Sequence, residues 1–277
     1  MNPRVAKSAS AWHQSDLKNY NISVCEQSPA KFFGHTPRNS ELPQGLDSNF
    51  LTATLPHDPN LSDETTELLQ LIQAIEGTGP SSRRTPEADV DLLARELLKA
   101  AHFQSDGLLL RAEGSIKLAI CKDKHCYARP NVYLTQNIPH TVLLILENKR
   151  KDSRIDPEPQ VIAQAIAAFQ HNNRELDRAR HPRHKSMTFP AITMVGTCLT
   201  FYKTTITQDL SDAVENGTSP RKITTVYKCV VPHVAGHGSE RVGMESPVYR
   251  KNVMRFLGAF RPMAKRSWEL YTIPPRR

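Results

Sequence analysis

The run Thr141-Val-Leu-Leu-Ile-Leu-Glu-Asn-Lys-Arg150 decides how this chain is read. Five apolar residues are followed at once by a carboxylate, an amide and two cations. An uninterrupted apolar stretch of this length predicts a strand buried on both faces, in the centre of a sheet. Successive side chains on a strand point to opposite faces, so Glu147 and Lys149 share one face and Asn148 takes the other. A strand end that leads into a helix is a usual place for a site in an α/β sheet. There a carboxylate can bind a hard divalent cation while a lysine steadies a water or a phosphate oxygen. Glu-x-Lys alone is also how many solvated strand ends read, so its neighbourhood has to carry the rest.

Downstream, Asp152–Pro159 breaks the strand, and Glu158 opens a helix predicted to run to about Arg178. Pro159 suits a first helical turn. Val161, Ile162, Ala165, Ile166 and Phe169 form its apolar stripe, and Gln160 and Gln164 lie one turn apart on a polar edge. Upstream, a helix from about Ala88 to His102 carries Val90, Leu93, Ala94, Leu97 and Leu98 at helical spacing, with Glu96 among them. Then the period changes. Residues 107–114 and 115–121 read as strands joined at Gly114, and 127–135 as another, with Pro130 near its start. After the second helix, 191–202 reads as one strand and 224–231 as its hairpin partner. A helix from Pro247 to about Phe260 and a basic, proline-ended tail follow.

Nearer the N-terminus, 61–76 reads as a helix capped by Ser62 or Asp63, and 77–87 as a linker. Residues 1–60 show no sustained period and read as an irregular extension. The chain thus divides into an extension (1–60), a helix with linker (61–87), a core (88–246) and a C-terminal helix with tail (247–277). The fold class is α/β, a mixed sheet flanked by helices.

Composition bounds the partners. Lysine and arginine number 36 against 28 acidic residues, a net charge of +8 with a pI near 9.3. Such a surplus favours polyanions, nucleic acid first. Separately from the charge, DNA is expected as the partner before RNA. No stretch approaches membrane-spanning length, so no membrane partner is predicted. Five scattered cysteines imply no disulfide framework, and the first residues show no secretory pattern. The chain is therefore expected inside the cell, nuclear or cytoplasmic, with the Asn21, Asn60 and Asn216 sequons unused. Nothing in it signals an oligomeric state.

The arrangement resembles the PD-(D/E)XK nuclease superfamily: a helix, a three-stranded meander, a helix and a further strand, the restriction-endonuclease-like fold. The superfamily signature is Pro-Asp on the second strand and Asp/Glu-x-Lys on the third. The matching residues are Pro130-Asn131 and Glu147-Asn148-Lys149. The texture Arg-Pro-Asn, Leu-Glu-Asn-Lys-Arg and Gln-Ala-Ile-Ala-Ala-Phe-Gln is similar to nuclease-like proteins of fungi. The resemblance covers roughly 88–206, and it implies Mg²⁺- or Mn²⁺-dependent hydrolysis of phosphodiesters. In that reading Glu147, Asn131 and Glu96 hold the metal, and Lys149 orients water or stabilises the transition state. Gln164 (or Gln160) positions water or the nucleic-acid backbone. Asn131 departs from the signature, since an amide oxygen can ligate a metal but brings no negative charge. Glu113, Asp123 and Asp106 are possible stand-ins. The alternative is a catalytically inactive nucleic-acid- or protein-binding module on the same fold.

Lys151, Arg154, Arg174 and Arg178 follow the strand end and the helix, where sequence-independent contacts to a nucleic-acid backbone are expected. Two other motifs carry less. Cys121-Lys-Asp-Lys-His-Cys126 lacks the second pair a zinc site needs and reads as a hairpin turn. His233-Val-Ala-Gly-His237 reads as loop. Trp268 and Tyr271 are expected to pack rather than to stack on bases.

Overall fold

The computed structural model describes residues 4–54, 60–77, 87–104, 107–136, 142–151, 153–232 and 242–271. The elements run α1 (Gln14–Asn19), β1 (Ile22–Glu26), α2 (Pro29–Phe33), α3 (Ser48–Thr52), α4 (Asp63–Glu76) and α5 (Glu87–Ala100). Then come β2 (Leu108–Ala112), β3 (Ile116–Ile120), β4 (Asp123–Ala128), β5 (Val132–Gln136), β6 (Val142–Lys149) and α6 (Glu158–Arg178). The last are β7 (Ser186–Val195), β8 (Cys198–Thr207), α7 (Gln208–Asn216), β9 (Thr224–Val230) and α8 (Pro247–Glu269).

Seven strands form one mixed sheet in the order β1-β9-β8-β7-β6-β5-β2, and β3 and β4 form a separate antiparallel pair. β2, β5 and β6 pair antiparallel in succession, α6 follows, and β7 returns parallel to β6 with Glu147 opposite Thr193. β6 is interior, as its apolar run predicts, with β7 at the sheet's midpoint.

Helices cover both faces because the sheet's side chains alternate between two cores. Leu146, Ile192, Met194 and Phe201 pack towards α4, α5 and α8. Ala191, Tyr202 and Ile206 pack towards α6, α7 and the β3–β4 hairpin. α6 is buried almost all round, with every residue from Val161 to Phe169 fully enclosed. Its polar residues act as substitute strands. Asn172 accepts from the Val142 N–H at 2.9 Å and donates to the Val142 carbonyl at 2.9 Å. Gln170 does the same for Ala119, at 2.9 and 3.0 Å. Each carboxamide satisfies a backbone pair that would otherwise be buried without partners.

Four expectations need correction. Residues 1–60 are not an irregular extension: β1 pairs parallel with β9, and Trp12, Leu17, Tyr20, Phe32 and Phe50 are core residues. Short elements of five or six residues leave no period to detect, which is why the sequence hid them. The strand read over 127–135 is two: Tyr127 and Ala128 end β4, and β5 begins at Val132 beyond Arg129-Pro130-Asn131. The strand read over 191–202 is a hairpin that turns at Gly196, whose φ is +57°. β9 does pair with β8, over Thr200–Lys203. Finally, α8 runs through Pro262 to Glu269, because Leu257, Phe260, Ala264 and Trp268 keep one face buried beyond the proline. α7 was not foreseen at all. α4 starts after Ser62, whose side chain accepts from the Thr65 N–H, as predicted. No helix among the described residues is long and apolar enough to cross a membrane.

Candidate functional site

The site is built at the C-terminal end of β6, under the first turns of α6. Glu147 is 1% exposed. Its Oε1 accepts from Lys149 Nζ at 2.5 Å and its Oε2 from Gln164 Nε2 at 2.6 Å. Gln164 Nε2 also reaches the Arg129 carbonyl at 3.3 Å, while its Oε1 is buried with no partner among the described residues. Strand alternation puts Glu147 and Lys149 on one face, and the second turn of α6 drops Gln164 onto them. Burial pushes the Glu147 carboxyl up to about 6, against the opposing pull of Lys149 and Gln164.

Asn131 does not join them. Its Oδ1 accepts from the Asn148 N–H at 3.2 Å, extending the β5–β6 ladder by one side chain, and its amide faces Asp91, whose carboxyl pKa it helps to hold down. Asn148, on the opposite face from Glu147 and fully buried, donates to Asp91 Oδ1 at 2.6 Å. Asn131, Asn148 and Asp91 are thus a clamp between β5, β6 and α5. Burial raises the Asp91 carboxyl, and the charges of Glu87 and Glu113 add to that rise.

Glu96 is also elsewhere. It pairs with Lys99 at 2.7 Å and lines a separate cavity of about 430 Å³ with Asp47 and Glu64. Five residues separate it from Asp91, about 140° around a helix, so the α5 carboxylate beside the strand end is Asp91. Gln160 is buried but makes no hydrogen bond to Glu147. Glu113 donates its N–H to the Asn131 carbonyl, and Asp123 sits at the start of β4, accepting from the His125 N–H. Asp106, His233 and His237 lie outside the described residues.

The basic residues scatter. Lys151 is bound to Glu76, and Arg154 is exposed. Arg174 and Arg178 lie ten and fourteen residues beyond Gln164 along α6, about 15 and about 21 Å at 1.5 Å per residue. Trp268 packs against Phe103, and Tyr271 meets His184 edge-on. All five cysteines are free, and Cys121 and Lys122 turn the β3–β4 hairpin at positive φ.

Sequence reasoning missed a polar row that continues from Glu147 across the same face. Thr193, opposite Glu147, donates to the Tyr202 hydroxyl at 3.4 Å. Tyr202 donates to Glu158 Oε2 at 3.4 Å, and Lys228 pairs with that oxygen at 2.8 Å. Gln14 reaches Glu158 Oε1 at 3.2 Å. Thr193, Tyr202 and Glu158 are all buried. Burial and the Glu158 charge both raise the Tyr202 hydroxyl pKa. The one available signal was Thr193 breaking an otherwise apolar run.

The residues present do not fit a preassembled divalent-cation centre. Both Glu147 oxygens are taken by nitrogen donors, and Asn131 is spent on the clamp. Among the described residues no group of three or more His, Cys, Asp or Glu could hold a metal ion. Comparison with protein-family models gives no match, and no curated protein matches the chain in sequence.

Proposed function

We propose that this chain is a nucleic-acid-binding protein on a PD-(D/E)XK-like nuclease fold, with metal-dependent phosphodiester hydrolysis impaired or lost. The observation that carries the reading is the convergence of Glu147, Lys149 and Gln164 at the end of β6. The order α5, β2-β5-β6, α6, β7 supports it, since that is the superfamily's helix, meander, helix and strand, here with the β3–β4 hairpin inserted. Impairment follows from charge. A phosphodiester site needs carboxylates enough to hold Mg²⁺ or Mn²⁺ beside an anionic substrate. Here one carboxylate is secured by a lysine and a glutamine, and no hydrolytic step can be drawn through a metal. The net charge of +8 supports a polyanionic partner.

The test is cleavage of linear and circular DNA in Mg²⁺ or Mn²⁺ by wild type and Lys149→Ala. Little or no cleavage by either is expected, with salt-dependent DNA binding by both. Robust wild-type cleavage abolished in Lys149→Ala would overturn the impaired reading. Absence of binding to DNA and RNA at low salt would overturn the nucleic-acid part and favour a protein-binding module.

A further inference from the structure

We propose that the basic cavity between the C-terminal half of α6, the β3–β4 hairpin and α7 is a phosphate-binding site, separate from the Glu147 strand end. The cavity measures about 520 Å³, within the range of small-ligand sites. Lys117, Lys124, Arg174, Arg178 and Arg183 line it, against a single carboxylate, Glu215. Arg178 is neutralised by Glu175 and Arg183 by Asp177. Lys117, Lys124 and Arg174 have no ion-pair partner among the described residues, and outnumber Glu215 three to one.

Arg174 is the anchor. One Nη2 donates to the Lys117 carbonyl at 2.9 Å, which fixes the guanidinium plane against the cavity wall. Its remaining N–H groups have no protein acceptor among the described residues. A planar fork held at one edge suits two oxygens of one phosphate. Burial pushes the Arg174 pKa down, the Arg178 charge adds to it, and Glu215 and Glu175 oppose it. The Ser211 hydroxyl, also on the wall, has no hydrogen-bond partner among the described residues. No Phe, Tyr or Trp side chain lines the cavity, and its lining consists mainly of donors suited to phosphate oxygens. The ligand is a phosphate group, from a nucleic-acid backbone or a free phosphate ester.

The full chain is titrated with tripolyphosphate by calorimetry and with labelled duplex DNA by anisotropy at several salt concentrations. The variants are the double Lys117→Ala/Lys124→Ala and Arg174→Lys. Both lysines are exposed, so the melting temperature of the double variant is expected to stay at the wild-type value. Wild type is expected to bind tripolyphosphate, and the double variant about tenfold more weakly. Arg174→Lys should also weaken binding although it keeps the charge, because the fork is lost. If the ligand is a nucleic-acid backbone, the double variant also lowers the slope of log K against log salt by about two. Loss with tripolyphosphate alone assigns the cavity to a free phosphate ester. Wild type that binds neither probe, or variants indistinguishable from wild type with both, overturns the proposal. Lys149→Ala leaves tripolyphosphate binding intact, so this site and the reading of the strand end fail separately.

Discussion

Replacing Glu147 by glutamine tests whether burial or the Lys149 pair governs the strand end. The carboxyl is 1% exposed and is pushed from 4.5 to about 6 in the fold. The folded state therefore holds its proton more tightly than the unfolded chain. Below about pH 4.5 both states are protonated and nothing is lost; above about pH 6 both are ionised and the full penalty applies. The difference between those values corresponds to about 2 kcal/mol at 1.36 kcal/mol per pH unit. Wild type should thus lose about 2 kcal/mol from this group as pH rises from 4 to 7. Glutamine preserves the shape and cannot titrate. It leaves Lys149 without its anion, which shifts the variant's stability by a pH-independent amount, so the readout is the pH dependence alone. Urea unfolding of both proteins at half-unit steps from pH 4 to 8 gives the variant-minus-wild-type difference. That difference should rise by about 2 kcal/mol in favour of the variant, most of it between pH 4.5 and 6. A flat difference, or one that falls, shows that the ion pair outweighs burial and refutes the reasoning.

Further perturbations test the other structural claims. Asn131→Asp removes the amide donor facing Asp91 and adds a second charge there, so it should cost about 1–3 kcal/mol in denaturant unfolding and restore no cleavage. Metal-dependent cleavage gained by Asn131→Asp would show that the side chain faces the Glu147 cleft instead. Gln164→Leu strips one Glu147 oxygen of its donor, so a cost of about 1–3 kcal/mol and a carboxyl titrating above the wild-type value by NMR are expected. An unchanged titration would break the link between them. Gly258→Ala puts a Cβ 1.7 Å from the Glu41 carbonyl oxygen, and overpacking of that kind costs about 1–3 kcal/mol. An unchanged melting temperature would mean that 39–41 do not pack on α8. Trp12→Ala, at a side chain 1% exposed, should cost about 3–5 kcal/mol. A loss below about 1 kcal/mol would return the first residues to the status of a loose extension.

What the sequence determined by itself is local. Strand alternation put Glu147 and Lys149 together, and the helical period of 158–178 set both the bounds of α6 and the turn that carries Gln164. These follow because a period of two or 3.6 is written in neighbouring residues. The tertiary structure alone decided which way Asn131 faces, since that depends on Asp91 and Asn148 arriving from α5 and β6. It alone exchanged Glu96 for Asp91, a choice of helix rotation against the sheet rather than of helix position. It alone joined Thr193, Tyr202, Glu158 and Lys228 into one row, from strands and a helix up to 70 residues apart. And it alone made β1 a strand, because five residues of ordinary composition extend only when β9 offers its edge.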